Sequence, residues 1–226
     1  MFRRRHEPAL ISDIGGVILI GSPDMTCEKL SSYCALDPKT IRDKIWNSML
    51  FAKYEMGLLT RPGEAPKPRG NGHYEEMDHV FYEEVRYRLG ADMTFEQFRE
   101  AWNNIIGVNP PVVDIYARAM KKGHKVVLLS DTNHMHAEYF MNHPEWGFVR
   151  NYHGHVFSYE EGHLKPDLVL VDRAREKAYA RRKDVLVVDD NPKLIDGFRA
   201  CGIDAHLYDG NDDKLAERMI ERGFRI

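Results

Sequence analysis

Ala9-Leu10-Ile11-Ser12-Asp13-Ile14-Gly15-Gly16-Val17-Ile18-Leu19-Ile20 is the stretch on which the reading of the fold turns. Its apolar residues are dense and largely β-branched, without the polar alternation of a strand that keeps one face in water, so residues 8–20 read as a strand buried on both faces. One carboxylate, Asp13, breaks the run and is followed at once by two glycines. From residue 109 the chain alternates. Asn109-Pro110-Pro111 opens a helix that runs to residue 122 and ends at Gly123, and an apolar strand follows at 125–129. Helices at 136–142, 166–179 and 192–201 then interleave with strands at 153–157, 184–188 and 203–207. Strand–helix alternation of this kind builds a parallel sheet with helices on both faces. The run at 8–20 supplies its missing first strand.

Residues 24–106 have a different pattern. Ile41, Ile45, Met49 and Ala52 stand at helical spacing across 39–56, and 74–89 and 94–106 repeat it. Thr94 with Gln97 forms a capping box. The predicted architecture is α/β, a Rossmann-like parallel sheet in three α/β/α layers (1–22 and 107–226) with a helical cap (23–106) inserted after the first strand. Within the cap, 61–72 carries three prolines and three glycines, reads as a surface loop, and could act as a lid bringing Lys67 and Arg69 toward an anion.

Composition excludes several classes. The 226 residues are 43% hydrophobic and 30% charged, and 32 Lys+Arg against 35 Asp+Glu leave a formal charge of −3. A sequence pI of 6.4 lies far from the values above ~9 of domains that live on phosphate backbones, so no nucleic-acid partner is expected. Cys27, Cys34 and Cys201 form no CxxC and leave one unpaired, which suits reduced packing residues. Arg3-Arg4-Arg5 before an apolar run raises the question of a signal peptide, but Asp13 interrupts the run and no small-residue cleavage site follows. The run is also short of the ~20 residues of a membrane span. The expectation is a cytoplasmic protein without a membrane partner; its oligomeric state is not readable.

Ligands of open parallel sheets sit beyond the carboxyl ends of the strands. Those ends carry Asp13, then Ser130-Asp131, then Lys165-Pro166 after the third strand, then Asp189-Asp190. Three carboxylates gathered there would repel one another unless a cation joined them, and hard oxygen donors in small number suit Mg²⁺. With Lys165 and Mg²⁺ the local charge is about zero, which leaves room for an anion.

The ordered set Asp13, Ser130, Lys165 and Asp189-Asp190 resembles the four motifs of the haloacid dehalogenase superfamily of hydrolases, over nearly the whole chain. Gly123–Asn133 and Phe95–Phe98 are similar to a subgroup that includes a bacterial alpha-D-glucose-1-phosphate phosphatase and the N-terminal phosphatase domain of soluble epoxide hydrolases. The resemblance implies a Mg²⁺-dependent phosphatase acting on a small phosphorylated metabolite, with a sugar phosphate as the finer expectation, through an aspartyl-phosphate intermediate. It implies Asp13 as nucleophile, Ser130 and Lys165 as catalytic groups on the phosphoryl oxygens, and Asp13, the Gly15 carbonyl, Asp189 and Asp190 around the metal. Pro166, at a helix's first turn, would fix Lys165.

Two positions depart from the family pattern. Gly15 stands where most family phosphatases have a general acid-base Asp, and His73 or His79 could substitute. Asp131 stands where relatives often have Asn; as substrate-binding residue it could help only through its backbone N–H. A 2-haloacid dehalogenase and a non-catalytic binding protein remain alternatives. The eleven histidines, with HxH pairs at His134/His136 and His153/His155, also open a zinc reading, though no Glu or Cys stands at ligand spacing beside them. Gly16–Ser22 has the glycine spacing of a phosphate-binding loop but lacks its lysine.

Overall fold

The computed structural model describes residues 7–61, 63–64, 74–104 and 107–226. The loop residues Lys67 and Arg69, the histidine His73 and the arginines 3–5 lie outside the described residues. Five strands, β1 (Ala9–Ser12), β2 (Lys125–Ser130), β3 (His155–Phe157), β4 (Val185–Asp189) and β5 (Ala205–Leu207), form one sheet in the order β3-β2-β1-β4-β5. Every pair is parallel. Alternate residues of the central strands feed two apolar layers. Leu10, Val126, Leu128, Leu186 and Val188 face α6 (Pro110–Lys121) and α11 (Asp212–Glu221) through Val112, Tyr116, Leu215 and Met219. Ala9, Ile11, Val127, Leu129, Val185 and Val187 face α9 (Leu168–Lys177) and α10 (Pro192–Ala200) through Leu170, Ala174, Ile195 and Phe198. Both faces are covered, which is why the strands read as continuous apolar runs.

The first strand is shorter than the apolar run. It stops at Ser12, because the chain reverses through Gly16 at φ +70° and folds back with the Gly16 N–H donating to the Leu19 carbonyl at 2.8 Å. Ile14, Val17, Ile18 and Leu19 are buried as a turn packed on the sheet, not as strand. Periodicity cannot tell these two ways of burying an apolar run apart.

The helices inserted after β1 are α1 (Pro23–Ser31), α2 (Pro38–Ile45), α3 (Met49–Glu55), α4 (Tyr74–Leu89) and α5 (Phe95–Trp102). They enclose their own apolar cluster around Phe81, Phe98 and Trp102, into which the sheet domain contributes Met135. The capping box at Thr94 and Gln97 is formed. Residues 39–56 are two helices and not one, since Ser48 caps α3 by accepting from the Phe51 N–H at 3.3 Å. Met49, expected on the buried stripe, is consequently 69% exposed. Of the cysteines, Cys27 is buried and Cys34 half-buried, as packing residues would be, but Cys201 is exposed; all are free. Among the described residues no helix is long and apolar enough to cross a membrane.

Candidate active site

The site is assembled by strand register. Ser12 of β1 pairs with Val188 of β4, so the next residues, Asp13 and Asp189, leave adjacent strands side by side. The Asp13 N–H extends the ladder by donating to the Val188 carbonyl at 2.8 Å. Carboxylate oxygens of Asp13, Asp189 and Asp190 lie within 4.8 Å of one another, the first two residues buried and Asp190 exposed. Lys165 enters from the loop after α8 (Ser158–Glu161). Its Nζ stands 2.7 Å from Asp189 Oδ2 and 2.9 Å from Asp13 Oδ2.

Lys165 is mounted differently from the expectation. Helix α9 starts at Leu168 with Asp167 as its N-cap, so Pro166 stands before the helix and not in its first turn. Its ring instead lies against Gly197 of α10, where an added Cβ would come within 2.6 Å of Pro166 Cγ. The Lys165 N–H donates to both Asp131 oxygens, at 3.0 and 3.2 Å. The Asp131 carboxylate thus anchors the lysine's backbone. Ser130, 5% exposed, donates to the Asp131 carbonyl at 3.3 Å. This loop is tied to the end of β3 by Ser158, whose hydroxyl accepts from the Thr132 N–H at 2.9 Å and donates to its carbonyl at 3.0 Å.

The electrostatics are those of crowded carboxylates around one ammonium. Burial pushes the Asp13 pKa up to about 7; the charge of Lys165 opposes the shift and that of Asp189 adds to it. Burial and Asp189 raise Asp190 as well. Burial works against the Lys165 charge, yet Asp13, Asp189 and Asp131 together hold it protonated well above the ordinary lysine range.

The two glycines after Asp13 differ in kind. A Cβ on Gly16 would sit 2.0 Å from Asp190 Oδ2, so the left-handed turn lets this carboxylate close over the backbone. A Cβ on Gly15 would meet nothing within 4 Å. The missing side chain at position 15 is not dictated by crowding.

The cap is bonded to the same strand-end loop. Tyr54 of α3 donates to Asp78 Oδ1 of α4 at 2.5 Å, and His134, at the start of α7 (His134–Asn142), meets Asp78 Oδ2 at 2.7 Å. Burial opposes protonation of His134, but the Asp78 carboxylate outweighs it and raises the imidazole's pKa. His136 donates through Nε2 to the Trp102 carbonyl at 3.0 Å, while its Nδ1 takes the Asn133 amide at 3.1 Å. Burial lowers its pKa to about 4, so it stays neutral in this role. His153 accepts from the Val126 N–H at 3.2 Å and His155 faces Glu160 at 3.9 Å. Neither HxH pair forms a metal site. Among the described residues, the one group of three or more metal-ligating side chains is Asp13, Asp189 and Asp190. His79 is exposed and stacked on Phe95, ring centroids 3.9 Å apart.

A residue the sequence reading passed over completes the surroundings. Glu55, the last residue of α3, is half-buried where the charges of Asp131, Lys165 and Asp13 act on its carboxyl group. Gly57, two residues on, lies so close to the core that an added Cβ would be 2.1 Å from the Tyr159 carbonyl oxygen of α8. An acidic residue two positions before a helix-terminating glycine was the available signal, but it gains meaning only once Tyr159 is seen beneath Gly57.

No family model matches the sequence. Among solved structures, the chain has the fold of a HAD family enzyme from Bacteroides thetaiotaomicron in a magnesium complex, at 20% identity and TM-score 0.72 over 95% of this chain and 100% of that one. The same enzyme has also been solved with magnesium and inorganic phosphate. A HAD phosphatase from Thermococcus onnurineus matches at 13% identity and TM-score 0.62 over 97% of this chain and 100% of its own. An L-2-haloacid dehalogenase matches at 12% identity and TM-score 0.64, over 95% and 99%. The fold is shared by phosphate-ester and carbon–halogen chemistry, so the choice between them falls to the site.

Proposed function

We propose that this chain, which carries the fold of the HAD family enzymes, is a Mg²⁺-dependent phosphatase for a small phosphorylated metabolite. The observation that carries the reading is the strand-end cluster of Asp13, Asp189 and Asp190 around buried Lys165. Three carboxylates and one ammonium leave a local charge of −2, which a divalent cation neutralises, and the donors are all hard oxygens. Asp13, the Gly15 carbonyl and Asp190, with Asp189 beside them, would hold the ion. Bound there, Mg²⁺ would offset the charge of the phosphoryl group and orient it.

The protein's own groups divide the remaining work. Asp13 attacks phosphorus as a carboxylate, forming an aspartyl phosphate while the ester oxygen leaves. Lys165 and Ser130 face the phosphoryl oxygens, where charge accumulates in a loose transition state. Asp131 holds the Lys165 backbone. Water then attacks the aspartyl phosphate and frees inorganic phosphate. Haloacid dehalogenation would use the same aspartate on carbon without needing a cation, which leaves Asp190 without a task. A sugar phosphate is the finer substrate reading, and it rests on the subgroup resemblance alone.

The test is phosphate release from a panel of sugar, polyol and aryl phosphates, with Mg²⁺ and with chelator. Release that depends on Mg²⁺ supports the reading. No release from any substrate, or halide release from 2-haloacids in chelator, overturns it.

Two expectations follow from the charge cluster. Because the folded Asp13 pKa of about 7 exceeds its ordinary 3.8, the native state holds a proton that the unfolded chain has lost. Stability of the metal-free protein therefore falls as pH rises from about 4 to about 7, and Mg²⁺ reduces the fall by favouring the ionised form. Calorimetry across that range, in chelator and in Mg²⁺, checks both signs. Gly16→Ala, in turn, pushes Asp190 away and is expected to raise the half-saturating Mg²⁺ concentration by about 10- to 100-fold, comparable to other losses of metal-site support. Activity titrated against Mg²⁺ measures it.

A further inference from the structure

We propose that Glu55 of the cap is the proton donor to the leaving oxygen, and then the base for the hydrolytic water, in place of the side chain that Gly15 lacks. The inference rests on the phosphatase reading and names a further catalytic residue for it.

Position is the first ground. Helix α3 ends at Glu55, and its last turn is fixed to the core from two directions. Tyr54 is bonded through Asp78 to His134, at the helix start that directly follows the Ser130–Asn133 loop. Gly57 rests against the Tyr159 carbonyl in a left-handed conformation, φ +64°. Glu55 lies between these two anchors, and the charged groups that act on it are Asp131, Lys165 and Asp13, all residues of the strand-end site. It forms no ion pair with an arginine or lysine of the cap among the bonds of the described residues.

Chemistry is the second ground. A donor to the leaving group must be a carboxylic acid when substrate arrives and must keep its proton near neutral pH. Burial, with the charge of Asp131 adding and that of Lys165 opposing, pushes the Glu55 pKa up to about 8. Two alternatives are otherwise engaged: Asp131 is taken up by the Lys165 N–H, and His79 stacks on Phe95.

The steps balance. As Asp13 Oδ bonds to phosphorus, the P–O bond to the substrate breaks, and the Glu55 proton passes to the departing oxygen to give the free alcohol and a Glu55 carboxylate. That carboxylate then takes one proton from water as the water oxygen bonds to phosphorus and the bond from phosphorus to Asp13 breaks. Inorganic phosphate leaves, with Asp13 ionised and Glu55 protonated as at the start.

Leaving-group dependence tests this directly, using the full chain with Mg²⁺. An alkyl phosphate that the wild-type protein hydrolyses needs its leaving oxygen protonated, whereas the p-nitrophenolate of p-nitrophenyl phosphate does not. Glu55→Gln is expected to lower kcat on the alkyl phosphate by about 10²- to 10⁴-fold. On p-nitrophenyl phosphate it should release one equivalent of p-nitrophenolate in a burst and then turn over slowly, because the aspartyl phosphate has lost its base. Glu55→Asp should recover at least about tenfold of the alkyl-phosphate rate and serves also if the glutamine variant fails to fold. Equal loss on both substrates without a burst, a change in KM alone, or wild-type rates in Glu55→Gln would overturn the assignment of Glu55 and leave the phosphatase reading standing. A wild-type protein that hydrolyses neither ester, or an Asp13→Asn variant as active as wild type, overturns the phosphatase reading and Glu55 with it.

Discussion

Asp13→Asn should reduce phosphate release by at least about 10⁴-fold and yet leave the protein as stable as before, or more so. The loss of rate follows because the amide cannot form the phosphorus–oxygen bond on which the two-step route depends, and groups acting as a unit lose most of their effect when one is removed. The stability follows from the site's electrostatics. Asp13 is buried beside Asp189, and burial raises its pKa to about 7 against the pull of Lys165. Its ionised form is thus unfavourable in the folded, metal-free protein at neutral pH, and a neutral amide of the same shape removes that penalty. Lys165 keeps Asp189, 2.7 Å away, as its partner. Initial rates and a melting curve in chelator separate the two effects. A variant that loses activity because it unfolds would contradict the account as plainly as one that stays active.

Lys165→Met carries the opposite signature, because the lysine is the only cation that the described site supplies to its carboxylates. Lys165 is 8% exposed and Asp189 is 1% exposed, so removing the ammonium strands buried negative charge. Breaking a buried pair in this way costs about 3–5 kcal/mol. For a chain of this size that is roughly a 6–20 °C fall in melting temperature. The fall should be largest at neutral pH in chelator. It should shrink in acid, where the carboxylates protonate, and shrink again in Mg²⁺, which replaces the missing charge. Activity should stay low in Mg²⁺, by about 10²- to 10³-fold, since a methionine offers the phosphoryl oxygens nothing. Melting curves at two pH values, each with and without Mg²⁺, test the combination. A fall that Mg²⁺ does not reduce would mean that Lys165 serves packing and not charge balance.

The sheet and the residues at its edge were legible because both faces of the strands are buried. Apolar runs such as Lys125–Ser130 and Val185–Asp189 end abruptly in a polar group, and parallel topology alone then brings those ends together. Strand register makes Asp13 and Asp189 neighbours, although 176 residues separate them in sequence. Local backbone detail was not legible to the same degree. The apolar run after Asp13 is buried as a turn, Ser48 restarts a helix whose spacing looked continuous, and Pro166 packs on Gly197 outside any helix. In each case a tertiary contact decides between conformations that the same pattern of hydrophobicity allows.

What the sequence hid belongs to the junction between cap and core. His134 and His136 lie two residues apart and read as a pair, but on a helix this spacing points side chains in different directions. One meets Asp78 and the other the Trp102 carbonyl. Part of the histidine surplus is thereby accounted for as neutral or carboxylate-paired links that seat the cap beside the Ser130–Asn133 loop. Glu55 was invisible for the same reason, since its relation to Asp13 passes through the docking of α3 on α8 and through no local motif.

The central claim is that Asp13 is the group that receives the phosphoryl unit. It is tested most directly by mixing the protein with Mg²⁺ and a phosphate ester that it hydrolyses, quenching in acid within a single turnover, and mapping the phosphorylated peptide. An acid-stable, hydroxylamine-sensitive phosphoryl group is expected on Asp13, absent in chelator and in Asp13→Asn. Phosphate release without any phosphorylated Asp13, or phosphorylation at another residue, would contradict it.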